Sequence, residues 1–254
     1  MTALLHSVFG IFGNVTGLFL FLSPLVTFKR IIQNKGTEQF SGVPYIMTLL
    51  NCLLSAWYGM PFVSSNNILV AVVNGVGTVI ESIYVIIFLV YSSKKEKMKI
   101  LGLLSVILTI FGAAALVSFF ALHHQNRKVF CGFAAAIFSV IMYGSPLSVM
   151  RLVMKTKSVE YMPFLLSLCS FLCGTSWFVY GLLGKDPFLA VPNGFGCALG
   201  ILQLIVYAVY CGNKGQNMKT ADGSPLELGQ ANGSAGAEKP TYDQRQVSNQ
   251  EDST

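Results

Sequence analysis

Ile68-Leu69-Val70-Ala71-Val72-Val73-Asn74-Gly75-Val76-Gly77 occurs a second time as Pro187-Phe188-Leu189-Ala190-Val191-Pro192-Asn193-Gly194-Phe195-Gly196. Both stretches carry Asn-Gly-x-Gly in register behind apolar residues, and both lie inside long apolar runs where an amide is unwelcome. A carboxamide within a bilayer must find hydrogen-bond partners inside the protein or in a water-filled cavity. A lone transmembrane Asn more often bonds a neighbouring helix. Two at matched positions point instead to one shared polar site formed by Asn74 and Asn193.

The surrounding composition is that of an integral membrane protein. At 254 residues, 53% hydrophobic and 11% charged, with a mean hydropathy of +0.61, the chain is too apolar for a soluble domain. Its net charge of +6 would suggest nucleic acid in a soluble protein, but the basic residues lie in short loops between apolar runs and read as topology. Seven runs of about 20 residues lie near 7–28, 43–63, 69–91, 101–122, 130–150, 163–183 and 189–211, each long enough to cross the hydrocarbon core as a helix. The first lacks a basic n-region and a small-residue cleavage site, so it is expected to be a retained helix.

The loops after runs one, three and five carry Lys29, Arg30 and Lys35, then Lys94, Lys95, Lys97 and Lys99, then Arg151, Lys155 and Lys157. The opposite loops hold Arg127, Lys128 and Lys185. The positive-inside rule therefore expects the N-terminus outside and the C-terminus in the cytosol.

The repeat extends well beyond the two Asn segments. Ser23-Pro24-Leu25 matches Ser145-Pro146-Leu147 at an offset of 122, and Pro44 matches Pro163 at 119, as Asn74 does Asn193. Trp57-Tyr58-Gly59 falls near Trp177 and Tyr180-Gly181. The change of offset implies a first loop about three residues longer in the first copy. Helices one to three repeat as five to seven, and run four is an unpaired linker that restores chain direction. The expected fold is all-α: two parallel three-helix bundles joined by a linker helix, 3+1+3. The divisions are 6–93 and 129–213 for the repeats, 94–128 for the linker and its loops, and 214–254 for a polar tail expected to be disordered in the cytosol.

Pro24 and Pro146 fall inside predicted helices, where each lacks an N–H and frees the carbonyl four residues back, at Leu20 and Met142; such positions kink or hinge. Pro44 and Pro163 open their helices, where proline is unremarkable. Asn51 and Ser55 are four apart on helix two and share a face, as do Cys173 and Trp177 on helix six.

Helix prolines, twin Asn-Gly-x-Gly segments and the 3+1+3 layout together resemble the SWEET sugar facilitators, formerly the nodulin-saliva family, for which parallel repeats are already described. The resemblance covers about residues 6–213. Segments such as Ser55-Ala56-Trp57-Tyr58-Gly59 and Gly174-Thr175-Ser176-Trp177 are similar to plant hexose-transporting members. It implies a bidirectional uniporter for glucose and related hexoses, in the plasma membrane and as a homo-oligomer. It also implies that Asn51, Ser55, Asn74, Cys173, Trp177 and Asn193 face the substrate, that Pro24, Pro44, Pro146 and Pro163 form an intracellular hinge or gate, and that Tyr58, Tyr180 and Asp186 form an extracellular gate. The chemistry suits this. Amides offer donors and acceptors to sugar hydroxyls without net charge, and an indole offers a face for the C–H side of the ring.

Glu81 is the only acidic residue within a run, with no basic relay at depth, which favours passive transport over ion coupling. Cys52, Cys131, Cys169, Cys173, Cys197 and Cys211 form no metal or CxxC pattern. His123 and His124 share a loop with Arg127 and read as a solvated face. Neither a nucleophile–base set nor a cofactor motif is present, so an enzyme is not expected. Ser224-Pro225 fits a phosphorylation pattern and Asn232-Gly233-Ser234 a glycosylation pattern, the latter on the wrong side of the membrane. A PQ-loop solute transporter is a weaker alternative, because Leu25 and Leu147 stand where that group has Gln. A seven-helix receptor is weaker still, since it would not require the repeat.

Overall fold

In a computed structural model, residues 1–212 are described and are helical apart from their connections. The order is α1 (Thr2–Leu22), α2 (Leu25–Asn34), α3 (Val43–Gly59), α4 (Ile68–Tyr91), α5 (Lys94–Leu116), a π turn (Val117–Ala121), α6 (His124–Met142), α7 (Gly144–Thr156), α8 (Phe164–Leu183) and α9 (Pro187–Tyr210). The tail from 214 to 254, with Ser224-Pro225 and Asn232-Gly233-Ser234, lies outside the described residues.

The prolines account for the split first and fifth spans. Pro24 cannot donate to the Leu20 carbonyl, which instead accepts the Ser23 N–H at 3.2 Å and the Ser23 hydroxyl at 2.8 Å. The chain re-enters a helix at Leu25. In the second copy the break falls earlier, at Tyr143, three residues before Pro146. Both short helices then end in a left-handed residue, Lys35 (φ 50) and Lys157 (φ 57), so the repeat persists into the backbone.

Among the described residues six helical stretches are long and apolar enough to span a bilayer. The second run is the exception. Its helix, α3, stops at Gly59 and not near residue 63, because residues 60–67 are taken up by turns. At 17 residues it stands at the short end of the range for a membrane-crossing helix. Lipid-facing surface is plain along α1, where Val8, Ile11, Val15 and Phe19 are exposed, and along α4, where Val79, Ile83, Ile86 and Val90 are exposed.

Within each half the third helix packs between the other two: α4 against α1 and α3, α9 against α6 and α8. Glycines set these contacts. A Cβ on Gly59 would collide with the backbone at Ala71, and one on Gly181 would lie 2.5 Å from the Ala190 nitrogen. Likewise Gly10 admits Leu69, and Gly132 admits Phe188. The halves meet through α1 on α8 and α3 on α6, the pairings expected of two related bundles about one axis.

These contacts also refine the register of the repeat. Gly59 pairs with Gly181 at an offset of 122, whereas Ala71 pairs with Ala190 at 119. From the left-handed Lys35 to Pro44 is nine residues and from Lys157 to Pro163 six, the three-residue difference that the offsets imply, although the two loops between helices differ by only one residue. In addition α8 is 20 residues against 17 in α3, and the connection that follows is three residues (184–186) against eight (60–67). A three-residue insertion inside an apolar helix leaves no mark on hydropathy.

The linker α5 starts with Ser93 accepting the Glu96 N–H, a Ser-x-x-Glu cap, and packs on α3. Its far end is held by Arg127. That guanidinium donates to the carbonyls of Ser118 (2.8 Å), Leu122 (3.0 Å), Phe119 and Phe62 (both 3.3 Å), joining the π turn, α6 and the α3–α4 loop. Trp57 faces packing: its indole donates to Ser118 and meets Phe62 and Phe111 edge-on. Arg30 on α2 pairs with Glu38 in the α2–α3 loop and holds its carboxyl below the usual carboxylate range.

Candidate functional site

A cavity of about 200 Å³ lies between the halves, and Asn51, Ser55, Asn74, Cys173, Trp177 and Asn193 all line it. They come from α3, α4, α8 and α9, so the structure brings together the six residues that the sequence singled out. At the refined offsets they form three related pairs: Asn51 with Cys173, Ser55 with Trp177, and Asn74 with Asn193. The cavity therefore straddles the axis that relates the two bundles.

The two matched amides are held alike. Asn74 donates from Nδ2 to the Val70 carbonyl and Asn193 to the Leu189 carbonyl, each at 2.9 Å. One N–H is thus spent on the helix, and each side chain keeps a second N–H and its carbonyl oxygen for a ligand. Trp177 can approach because Gly13 faces it: a Cβ there would lie 2.9 Å from the indole. The Trp177 ring also meets Tyr180 edge-on at 5.2 Å. Cys173 lies beside the Gly13 carbonyl. The adjoining glycines differ: Gly75 has open space around its Cβ direction, whereas Gly77 is packed by Phe21 and Cys52.

Polar contacts across the halves gather at one end of the cavity. Asp186, 2% exposed, caps α9 by accepting the Phe188 N–H on Oδ1. Its Oδ2 accepts the Tyr58 hydroxyl at 2.5 Å and the Asn67 amide at 2.7 Å, and Lys128 stands 3.5 Å away. Tyr180 donates to the Asn66 carbonyl at 2.9 Å, and His6 stacks on its ring at 3.8 Å. Tyr58, Tyr180 and Asp186 thus lie in one polar cluster that joins the halves.

Asn67, Lys128 and His6 were not anticipated. Asn67 had a legible signal, since it is the repeat mate of Asp186 at the 119 offset shared by Asn74 and Asn193. Lys128 looked like a loop charge, and nothing in the sequence placed it beside a carboxylate on another helix.

The opposite end carries Pro24, Pro44, Pro146 and Pro163. Pro44 stands in the first turn of α3, and Pro163 caps α8. Here α2 packs on α4, while α7 packs on α6 and α9, so each proline-bearing corner stays with its own half. Glu81 is buried on α4 near Cys52, away from the cavity lining. Among the described residues the cysteines are unbridged, and His, Cys, Asp and Glu side chains form no group of three.

Known proteins match this architecture. A family model described as "Sugar efflux transporter for intercellular exchange" matches residues 7–96 and 129–215. The bidirectional sugar transporter SWEET1 of Arabidopsis thaliana is 69% identical over 217 residues, 85% of this chain and 87% of the relative. SWEET1a of Oryza sativa subsp. japonica is 65% identical, covering 85% and 79%. The solved structure of a eukaryotic SWEET transporter superposes with a TM-score of 0.82 at 44% identity, over 84% of this chain and 99% of that one. With family matches in both halves and relatives this similar over most of their length, the chain belongs to the SWEET family of sugar transporters.

Proposed function

We propose that this chain carries monosaccharides, glucose among them, across a membrane in both directions, down their gradients, by alternating access at the Asn74–Asn193 cavity. The observation that carries this reading is the pair of equivalently held amides, faced by an indole, on the axis between two bundles. A carrier must offer its site to each side in turn, and a site on the boundary between two moving bodies can do so. Asn74, Asn193 and Asn51 bond hydroxyls, Trp177 stacks on the ring, and Ser55 and Cys173 fill the remaining wall.

At about 200 Å³ the cavity falls below the roughly 300–1,000 Å³ of drug-sized ligand pockets, which favours one sugar ring over two. Tyr58, Tyr180 and Asp186 close the extracellular end, and the four prolines flex the cytosolic end. The state described here then has its outer gate shut. The basic loops favour an extracellular N-terminus and a cytosolic C-terminus. The working form is a homo-oligomer in the plasma membrane.

Tracer uptake in sugar-transport-deficient cells tests the reading. Labelled glucose should enter faster than sucrose, leave preloaded cells at a comparable rate, and equilibrate without accumulating when the proton gradient is collapsed. Preference for sucrose, or uphill accumulation abolished by a protonophore, would overturn it.

A further inference from the structure

The two halves of the cavity are built alike but not chemically alike: besides Asn51 against Cys173 and Ser55 against Trp177, they differ by one hydroxyl. Ser139 on α6 lines the cavity and donates from Oγ to Oδ1 of Asn51 on α3 at 3.0 Å. Other helix hydroxyls here, including Thr16, Thr48, Thr78, Ser82 and Ser176, bond the carbonyl four residues back on their own helix. Ser139 reaches across to another helix.

The repeat mate of Ser139, at the offset of 122, is Gly17. Its Cβ position lies 3.8 Å from Sγ of Cys173, the mate of Asn51. The α3–α6 contact is therefore a hydroxyl on an amide, and the α1–α8 contact a glycine beside a thiol.

We infer that Ser139 is a positioning residue for sugar recognition: by occupying the Asn51 carbonyl it turns that amide's N–H pair to the sugar and makes the α3–α6 wall the donor side of the cavity. This rests on the reading that the cavity binds sugar. An amide with one oxygen lone pair engaged offers a ligand two N–H donors and a single remaining acceptor lone pair, so it is weighted towards donation. Asn74 and Asn193 have each spent an N–H and keep an exposed acceptor, so a ring oxygen or hydroxyl acceptor belongs at Asn51 and hydroxyl donors belong at the matched pair. A hexose has no twofold symmetry. The Ser139–Asn51 contact then acts with the Ser55/Trp177 difference to favour one of the two orientations that a symmetric cavity would allow.

The test is a double-mutant cycle on full-length protein, read as both glucose transport kinetics and equilibrium glucose binding to purified protein. Ser139→Ala should raise KM and the dissociation constant by about three- to tenfold, the scale of one net hydrogen bond, with Vmax little changed. Ser139→Thr, which keeps the hydroxyl, should restore most of the loss. In an Asn51→Ala background Ser139→Ala should have no further effect. An unchanged KM in Ser139→Ala, or the same loss with and without the Asn51 amide, overturns the inference while leaving the sugar site intact. Wild-type protein that neither binds nor moves glucose overturns both. Ser139→Cys, which fills the same space with a poor donor, should behave as Ser139→Ala and guards against a packing effect.

Discussion

Tyr58 donates its hydroxyl to Oδ2 of Asp186 at 2.5 Å, tying the end of α3 in one half to the cap of α9 in the other. Hydrogen bonds to charged groups contribute about 1.5–3 kcal/mol net, so this one contact can shift the ratio of closed to open gates by roughly tenfold or more. Tyr58→Phe should weaken the closure while keeping the ring. A membrane-impermeant thiol reagent applied on the Asp186 side should then modify Cys173 about tenfold faster; an unchanged rate would show that the bond does not hold the gate.

Asn74→Ala and Asn193→Ala each remove an amide from the centre of the cavity. A buried sugar hydroxyl left without its partner costs about 1–3 kcal/mol. Glucose uptake should be lost at matched membrane abundance, and survival of wild-type uptake in both variants would dismiss them as binding residues. Asn51→Ser shortens a wall residue and should admit measurable sucrose.

Gly13→Ala and Gly75→Ala form an internal contrast. A methyl at Gly13 lies 2.9 Å from the Trp177 indole, whereas Gly75 has nothing within 4 Å. Overpacking costs about 1–3 kcal/mol, and displacing the indole should raise the KM for glucose severalfold. Gly75→Ala should transport within about twofold of wild type, since it adds only a small gain in helix propensity.

Pro24→Ala supplies an N–H that competes with Ser23 for the Leu20 carbonyl, which favours continuous helix through the break. Transport should fall while abundance and thermal stability hold or rise. Pro146→Ala should act likewise by lengthening the helical ladder past Tyr143. Normal transport in both variants at equal abundance would rule out a hinge at these positions.

Much of this architecture was legible in the chain itself, because hydropathy marks spans and an internal repeat marks symmetry. Asn74 and Asn193 could be paired by register alone, and four-residue spacing placed Asn51 with Ser55 and Cys173 with Trp177. What stayed hidden depends on contacts between distant segments. Ser139 has a glycine for its repeat mate, so comparison of the copies gives no hint of it. Lys128 and His6 gain meaning only from Asp186 and Tyr180 on other elements. The extent of α3 was overestimated because Met60, Phe62 and Val63 continue the apolar pattern through residues that the backbone uses for turns.

The extra turn in α8 gives the two halves levers of unequal length. From Pro44 to Gly59 is 15 residues, and from Pro163 to the equivalent Gly181 is 18. At about 1.5 Å per residue the second arm is about 4.5 Å longer. Equal bends at the two pivots would therefore carry the far ends of α3 and α8 through different distances. If the prolines serve as the proposed hinges, the second half would sweep further, and Asp186, which follows α8, would travel with the longer arm. The outer latch would then be drawn apart chiefly by movement of the second half, while the first, with α5 packed along α3, stays closer to rest.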